Sequence, residues 1–186
     1  MVSFKGWAAA GLAAMGIAGT ASAALVTITQ TFYNSSSSTR RFSLRQTASA
    51  SGIVSGTEYL IVGSVTATLT DLMGNGARLA SSGGSPVYTA SIDGVPVKEL
   101  WIAPFELKVT TPFGSQSAAP ESFSEPLPAG SSPLGLFGVD LVFDLSAGDT
   151  ASVVATFDLV TVPGPGAAAL LAIAGAAIPS TRRRKA

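Results

Sequence analysis

The sequence of 186 residues contains no cysteine and no histidine. The first absence removes disulfides, thiol nucleophiles and thiolate-bound metals; the second removes the Ser-His-Asp triad and imidazole-bound zinc. Charge is scarce too, at 12% of residues, and the formal balance of eleven basic against eleven acidic side chains conceals a separation. Every acidic residue lies between Glu58 and Asp158, whereas Lys5 and the run Arg182, Arg183, Arg184 and Lys185 lie near the ends. Between Ala24 and Val162 only Arg40, Arg41, Arg45, Arg78, Lys98 and Lys108 oppose the eleven acids, a net charge of minus five. An acidic body of this kind argues against nucleic acid as a partner. Helical periodicity is missing from the same stretch, so strands are expected to build it.

What is present at the two ends is more specific. The chain starts MVSFKGWAAAGLAAMGIAGTASAALVT, with one positive charge at Lys5, an apolar stretch from Trp7 to Ala18, and small residues Ala21-Ser22-Ala23. That order is a secretory signal peptide, residues 1–23, read by signal peptidase at Ala21 and Ala23 and cut after Ala23. A buried helix is the poorer reading, because it would lack a polar face and Gly6, Gly11, Gly16 and Gly19 would each weaken it. Export leaves 163 residues, of which 24–161 are read as one domain with its own core.

The chain finishes VPGPGAAALLAIAGAAIPSTRRRKA, Val162 to Ala186. At about 1.5 Å per residue, the apolar run 167–178 covers roughly 18 Å of a hydrocarbon core near 30 Å. Pro163, Pro165 and Pro179 bracket this run, and the basic end 182–185 would be held on the cytoplasmic side while the body stands outside. A short, marginal membrane helix with a basic stop is therefore expected.

The three parts together resemble a PEP-CTERM sorting signal. In that family a Val-Pro-x-Pro motif precedes a short transmembrane run and an arginine cluster. Val162, Pro163 and Pro165 match the motif (162–166), residues 167–178 the span, and Arg182, Arg183, Arg184 and Lys185 the stop. Gly164 stands where the family most often has glutamate, a departure that bears on the cutting step. The resemblance implies a Gram-negative-type bacterium, transient tethering in the inner membrane, removal of the tail by an exosortase, and delivery to the cell surface or extracellular matrix, often alongside exopolysaccharide. It implies no activity for the body. A weaker resemblance covers the body itself: the DGVPV turn, the apolar Leu100 to Ile102, a serine-rich loop and FDLSAGDTASVVATFDL are similar to unassigned PEP-CTERM proteins of planctomycete type.

Within the body, Val139, Leu141, Phe143 and Leu145 alternate with polar neighbours, as do Ala151, Val153, Ala155, Phe157 and Leu159. With Ser146-Ala147-Gly148 as a three-residue loop, Phe143 faces Ala151 and Leu141 faces Val153, so the two segments read as a hairpin with Gly148 at positive φ. Asp93-Gly94 signals a second hairpin, Tyr88 to Ile92 with Val95 to Leu100, and Pro96 puts its second arm at an edge. Further strands are expected at Val26 to Tyr33, Phe42 to Ala48, Tyr59 to Leu72 with a bulge at Gly63, and Phe105 to Thr111. Loops are expected at Ala80 to Pro86 and Gly114 to Pro133. The fold class is all-β, an antiparallel β-sandwich of jelly-roll or immunoglobulin-like form, flanked by the signal helix and the short C-terminal helix.

Sites for chemistry are few, and no catalytic residue, metal site or cofactor is assigned. Asp140 and Asp144 are four residues apart on one strand, about 13 Å, whereas a glycosidase pair stands about 5 to 9.5 Å apart. No calcium-loop spacing occurs. Asn34-Ser35-Ser36 fits a glycosylation pattern, of little weight in a bacterial exported chain. Ser36 to Arg41 reads as a polar hairpin tip, with Arg40 and Arg41 able to meet an anionic polysaccharide. Three functions compete: a non-enzymatic surface or matrix protein; a carbohydrate-binding module using Tyr33, Tyr88 and Trp101; and a hydrolase needing two of Glu58, Asp71, Asp93, Glu99, Glu106, Asp140 and Asp158 in one cleft.

Overall fold

The computed structural model describes residues 22–50, 58–131 and 135–162. Residues 1–21 of the expected signal 1–23, the tail from Pro163 onward and the helices expected in both lie outside the described residues; the last two signal residues, Ser22 and Ala23, stand in the first strand. Those described form eleven strands and no helix. The first sheet holds β1 (Ser22–Tyr33), β11 (Thr150–Val162) and β3 (Glu58–Thr70) side by side. The short strands β8 (Ser115–Ser117) and β9 (Glu121–Pro126) follow one another along the far edge of β3. In the second sheet β10 (Leu136–Leu145) pairs with β2 (Arg40–Ser49) on one edge, and with β4 (Ala77–Ser81) and β5 (Tyr88–Ile92) in tandem on the other. β7 (Glu106–Val109) lies outside β4 and β6 (Val95–Leu100) outside β5. Every pairing is antiparallel.

The alternation read in the sequence fixes which side of each strand is buried. Ile61, Val65, Ala67 and Leu69 of β3, Leu141, Phe143 and Leu145 of β10, and Val153, Ala155, Phe157 and Leu159 of β11 are all buried in one core. Rings from the two sheets meet there, Phe157 at 5.5 Å from Phe137 and Phe32 at 5.0 Å from Phe143. Burying one such side chain is worth about 1.5–3 kcal/mol, and this shared core holds the sheets together without a disulfide.

The Asp93-Gly94 hairpin forms as expected, with φ of 53° and 79° at the two turn residues, and β6 is an edge strand with Pro96 in it. The Ser146-Ala147-Gly148 hairpin does not form. β10 and β11 belong to different sheets: Phe143 pairs with Phe42 and Ser81, and Ala151 with Phe32 and Leu69. A one-sided apolar row is buried equally well by a neighbour beside it and by a sheet across the core, so matching rows did not decide the partner. Gly148 does take φ 77°, within a turn that crosses between sheets. For the same reason the segment 34–39 is a crossing connection, not a hairpin tip, because β1 and β2 lie in different sheets.

Gly63 is not a bulge, since β3 runs in unbroken register with both β11 and β9. It makes room for neighbours: a Cβ there would collide with the Phe123 ring and lie 2.7 Å from the Tyr88 hydroxyl. The expected loops also hold strands. β4 overlaps the first, and β8 and β9 lie in the second, where Phe123 is the one buried side chain of a polar edge segment.

Register gives the molecule two poles. Ser22 and Val162 stand at one end of the first sheet, which we name the terminal pole. The connections 34–39, 71–76, 110–114 and 146–149 gather at the opposite, distal pole.

Candidate functional site

The three aromatics expected to form a sugar platform do not share a surface. Tyr88 is wholly buried, donates its hydroxyl to the Thr156 carbonyl at 2.8 Å, and burial pushes its pKa upward. Trp101 is buried and stacked on Phe105, with ring centroids 4.5 Å apart. Tyr33 alone is exposed, at the distal end of β1. Trp101 and Tyr88 both lie in the core beside Val87 and Leu100.

Several of the acidic residues have partners of their own. Asp140 pairs with Arg45 at 2.8 Å, and Asp93 accepts the Leu136 N–H at 2.8 Å, which ties the β5–β6 turn to the start of β10. Glu106 is bonded by Lys108 and Arg78, which hold it below the usual carboxylate range against the opposing pull of desolvation. Among the described residues no three acidic groups converge as a metal site.

A lateral cleft of about 430 Å³ opens where two strands break, between β6 and β7 and between β8 and β9. The Trp101 and Phe105 rings, Leu107 and the segment Ala118-Ala119-Pro120 line it, with Glu106 and Glu121 at its rim. Pro120 has no N–H for the ladder, which accounts for the break between β8 and β9. Trp101 has φ 47°, and its N–H is held by the Glu121 carboxylate at 2.7 Å. The cleft is a mainly apolar recess suited to non-covalent contact.

The distal pole is organised by buried polar side chains whose role sequence reasoning missed. Asp71 accepts N–H bonds from Met73, Gly74, Gly76 and Phe113 at 2.8–3.2 Å. Desolvation works to raise its pKa, but the bonds from Gly76, Gly74, Phe113 and Met73 prevail and hold the carboxyl below its usual range. Asn34 donates to the carbonyls of Ser38, Leu145 and Ser146 and accepts from Ser36, so its amide is consumed inside the fold and not offered for modification. Asp149 accepts the Ser146 hydroxyl at 2.5 Å and the Leu72 N–H at 3.3 Å. The available signal was an Asp or Asn at the end of a strand followed by glycine or serine, as in Asp71-Leu-Met-Gly-Asn-Gly. Arg40 and Arg41 are exposed at this pole.

Compared with known proteins, the chain matches no family model and no curated sequence.

Proposed function

We propose that the chain is an exported, non-enzymatic surface or extracellular-matrix protein of PEP-CTERM type, tethered through its tail in the inner membrane until an exosortase releases it. The observation that carries this reading is the order of Val162-Pro163-Gly164-Pro165, the apolar run 167–178 and Arg182 to Lys185, beginning at the last residue of β11. Val162 is still paired with Glu58, so a cut within 162–166 leaves the ladder of the body whole. At the other end the ladder with β11 becomes regular from Ala24, with a register shift between Ser22 and Ala24. Cleavage after Ala23 suits that boundary.

The jelly-roll form of the sandwich is our reading of the strand order. If β4/β5, β6/β7 and β8/β9 each count as one long strand broken once, the sheets become four strands each, β1-β11-β3-β8/β9 and β2-β10-β4/β5-β6/β7, which is the jelly-roll order. The tandem pairing of β4 with β5 along β10, and of β8 with β9 along β3, supports it. A carbohydrate-binding module is the weaker alternative, since two of its three aromatics are buried. Intact-mass and terminal sequencing of the protein recovered outside cells test the proposal. A chain starting at Ala24 and ending within 162–166 is expected; an intact Met1 overturns export.

A further inference from the structure

We infer that the distal pole is a docking surface for a bilayer carrying anionic phospholipid, with Leu72, Met73 and Phe113 as its inserting residues and Arg40 and Arg41 at its rim. This goes beyond the sorting proposal and does not depend on it. Eight large apolar side chains are exposed among the described residues, and four of them, Tyr33, Leu72, Met73 and Phe113, stand at this one pole. The 71–76 and 110–114 loops bring Phe113 near Met73, since the Phe113 ring lies across Gly74, the residue after Met73, and Met73 itself lies across Gly148. Scattered exposed apolar residues need no explanation, but a cluster on convex loop tips does.

The loops are held in place to present that cluster. Phe113 is 71% exposed yet has φ 56°, a conformation that a phenylalanine keeps only when its surroundings impose it. The imposing group is buried Asp71, which bonds the Phe113 N–H together with those of Met73 and Gly74, so one carboxylate aims both loops outward. Ordering cost is thus met before any partner arrives.

Charge selects the occupant. The half of the body around this pole carries Arg40, Arg41, Arg78 and Lys108 against Asp71, Glu106, Asp144 and Asp149, a net charge of zero; Asp71 and Asp149 are buried and Glu106 bonds both Arg78 and Lys108, so Arg40 and Arg41 are the exposed cations of the rim. The terminal half carries Arg45 and Lys98 against Glu58, Asp93, Glu99, Glu121, Glu125, Asp140 and Asp158. An anionic surface is therefore repelled by the terminal half and not by the neutral distal half, where apolar tips with Arg40 and Arg41 at the rim fit a lipid interface. A polysaccharide would use the ring faces of Tyr33 and Phe113 but would give no role to the exposed aliphatic Leu72 and Met73. A second copy would need roughly 800 Å² per partner, more than a convex tip of four side chains offers.

The absence of cysteine permits a local test on the full chain. Met73→Cys and, at the terminal pole, Val95→Cys are each labelled with an environment-sensitive dye and mixed with phosphatidylglycerol–phosphatidylcholine vesicles, pure phosphatidylcholine vesicles, or an anionic polysaccharide. The dye at 73 is expected to shift to the blue with the anionic vesicles only, while the dye at 95 does not shift. Replacing Arg40 and Arg41 by Gln should weaken the response roughly thirtyfold, at about fivefold per arginine near an anionic surface. A shift at 95 without one at 73 shows binding through the tail alone and overturns the inference. So does a response at 73 to polysaccharide in place of vesicles, or an equal response to both vesicle types.

Discussion

Asp71 carries more of the distal pole than any other residue, because four backbone N–H groups have their acceptor in it. Its carboxyl is held below the usual range, so the stabilisation it brings is full above the unfolded value of about 3.9 and is lost as pH falls through the lower folded value. Urea midpoints measured against pH should show an acid limb in the native chain that is smaller in Asp71→Asn, where Glu106 still contributes one, and the variant should be the weaker of the two at neutral pH. Gly63 is the second such residue, for steric reasons. Gly63→Ala forces a methyl against Phe123 and the Tyr88 hydroxyl and should cost about 1–3 kcal/mol in equilibrium unfolding, the range for overpacking.

The elements differ in how legible they were. β5 and β6 could be read with their turn because Asp93-Gly94 specifies a local hairpin, and a strand period of two marked β3, β10 and β11. The partner of β10 could not be read, because the groups that steer its crossing to β11 come from far along the chain. Asn34, more than a hundred residues earlier, bonds the Leu145 and Ser146 carbonyls that a hairpin would have used differently. β8 and β9 were hidden because an edge strand needs backbone pairing more than apolar side chains, and Phe123 is the one buried position in β9. Of the proposed sites, the aromatic set failed because Tyr88 and Trp101 are core residues, a distinction that residue type alone does not make. Cross-linking checks the corrected pairing directly. In this cysteine-free chain, Val142→Cys with Ser43→Cys, opposite each other in register, should oxidise to a disulfide, whereas Val142→Cys with Ser152→Cys should not. Gly148→Val should cost about 1 kcal/mol or more by calorimetry, since φ 77° disfavours a β-branched residue and Met73 occupies the space of its Cβ.

Over the whole molecule, Ser22 and Val162 stand at one pole while the apolar and basic loop tips stand at the other. A body tethered by its tail would therefore present the distal pole outward, and release of the tail would leave both sheets and the core untouched. The sorting tail is the central claim, and it is tested by two forms of the chain in a host possessing an exosortase. One has the native tail; in the other Arg182, Arg183, Arg184 and Lys185 are all replaced by serine. The native form should be held at the membrane and then released with its end within 162–166, while the serine form should lose the hold and the cut. Should the native form stay uncut at the membrane, Gly164→Glu should restore cleavage. Release of both forms at the same length and rate would contradict the account.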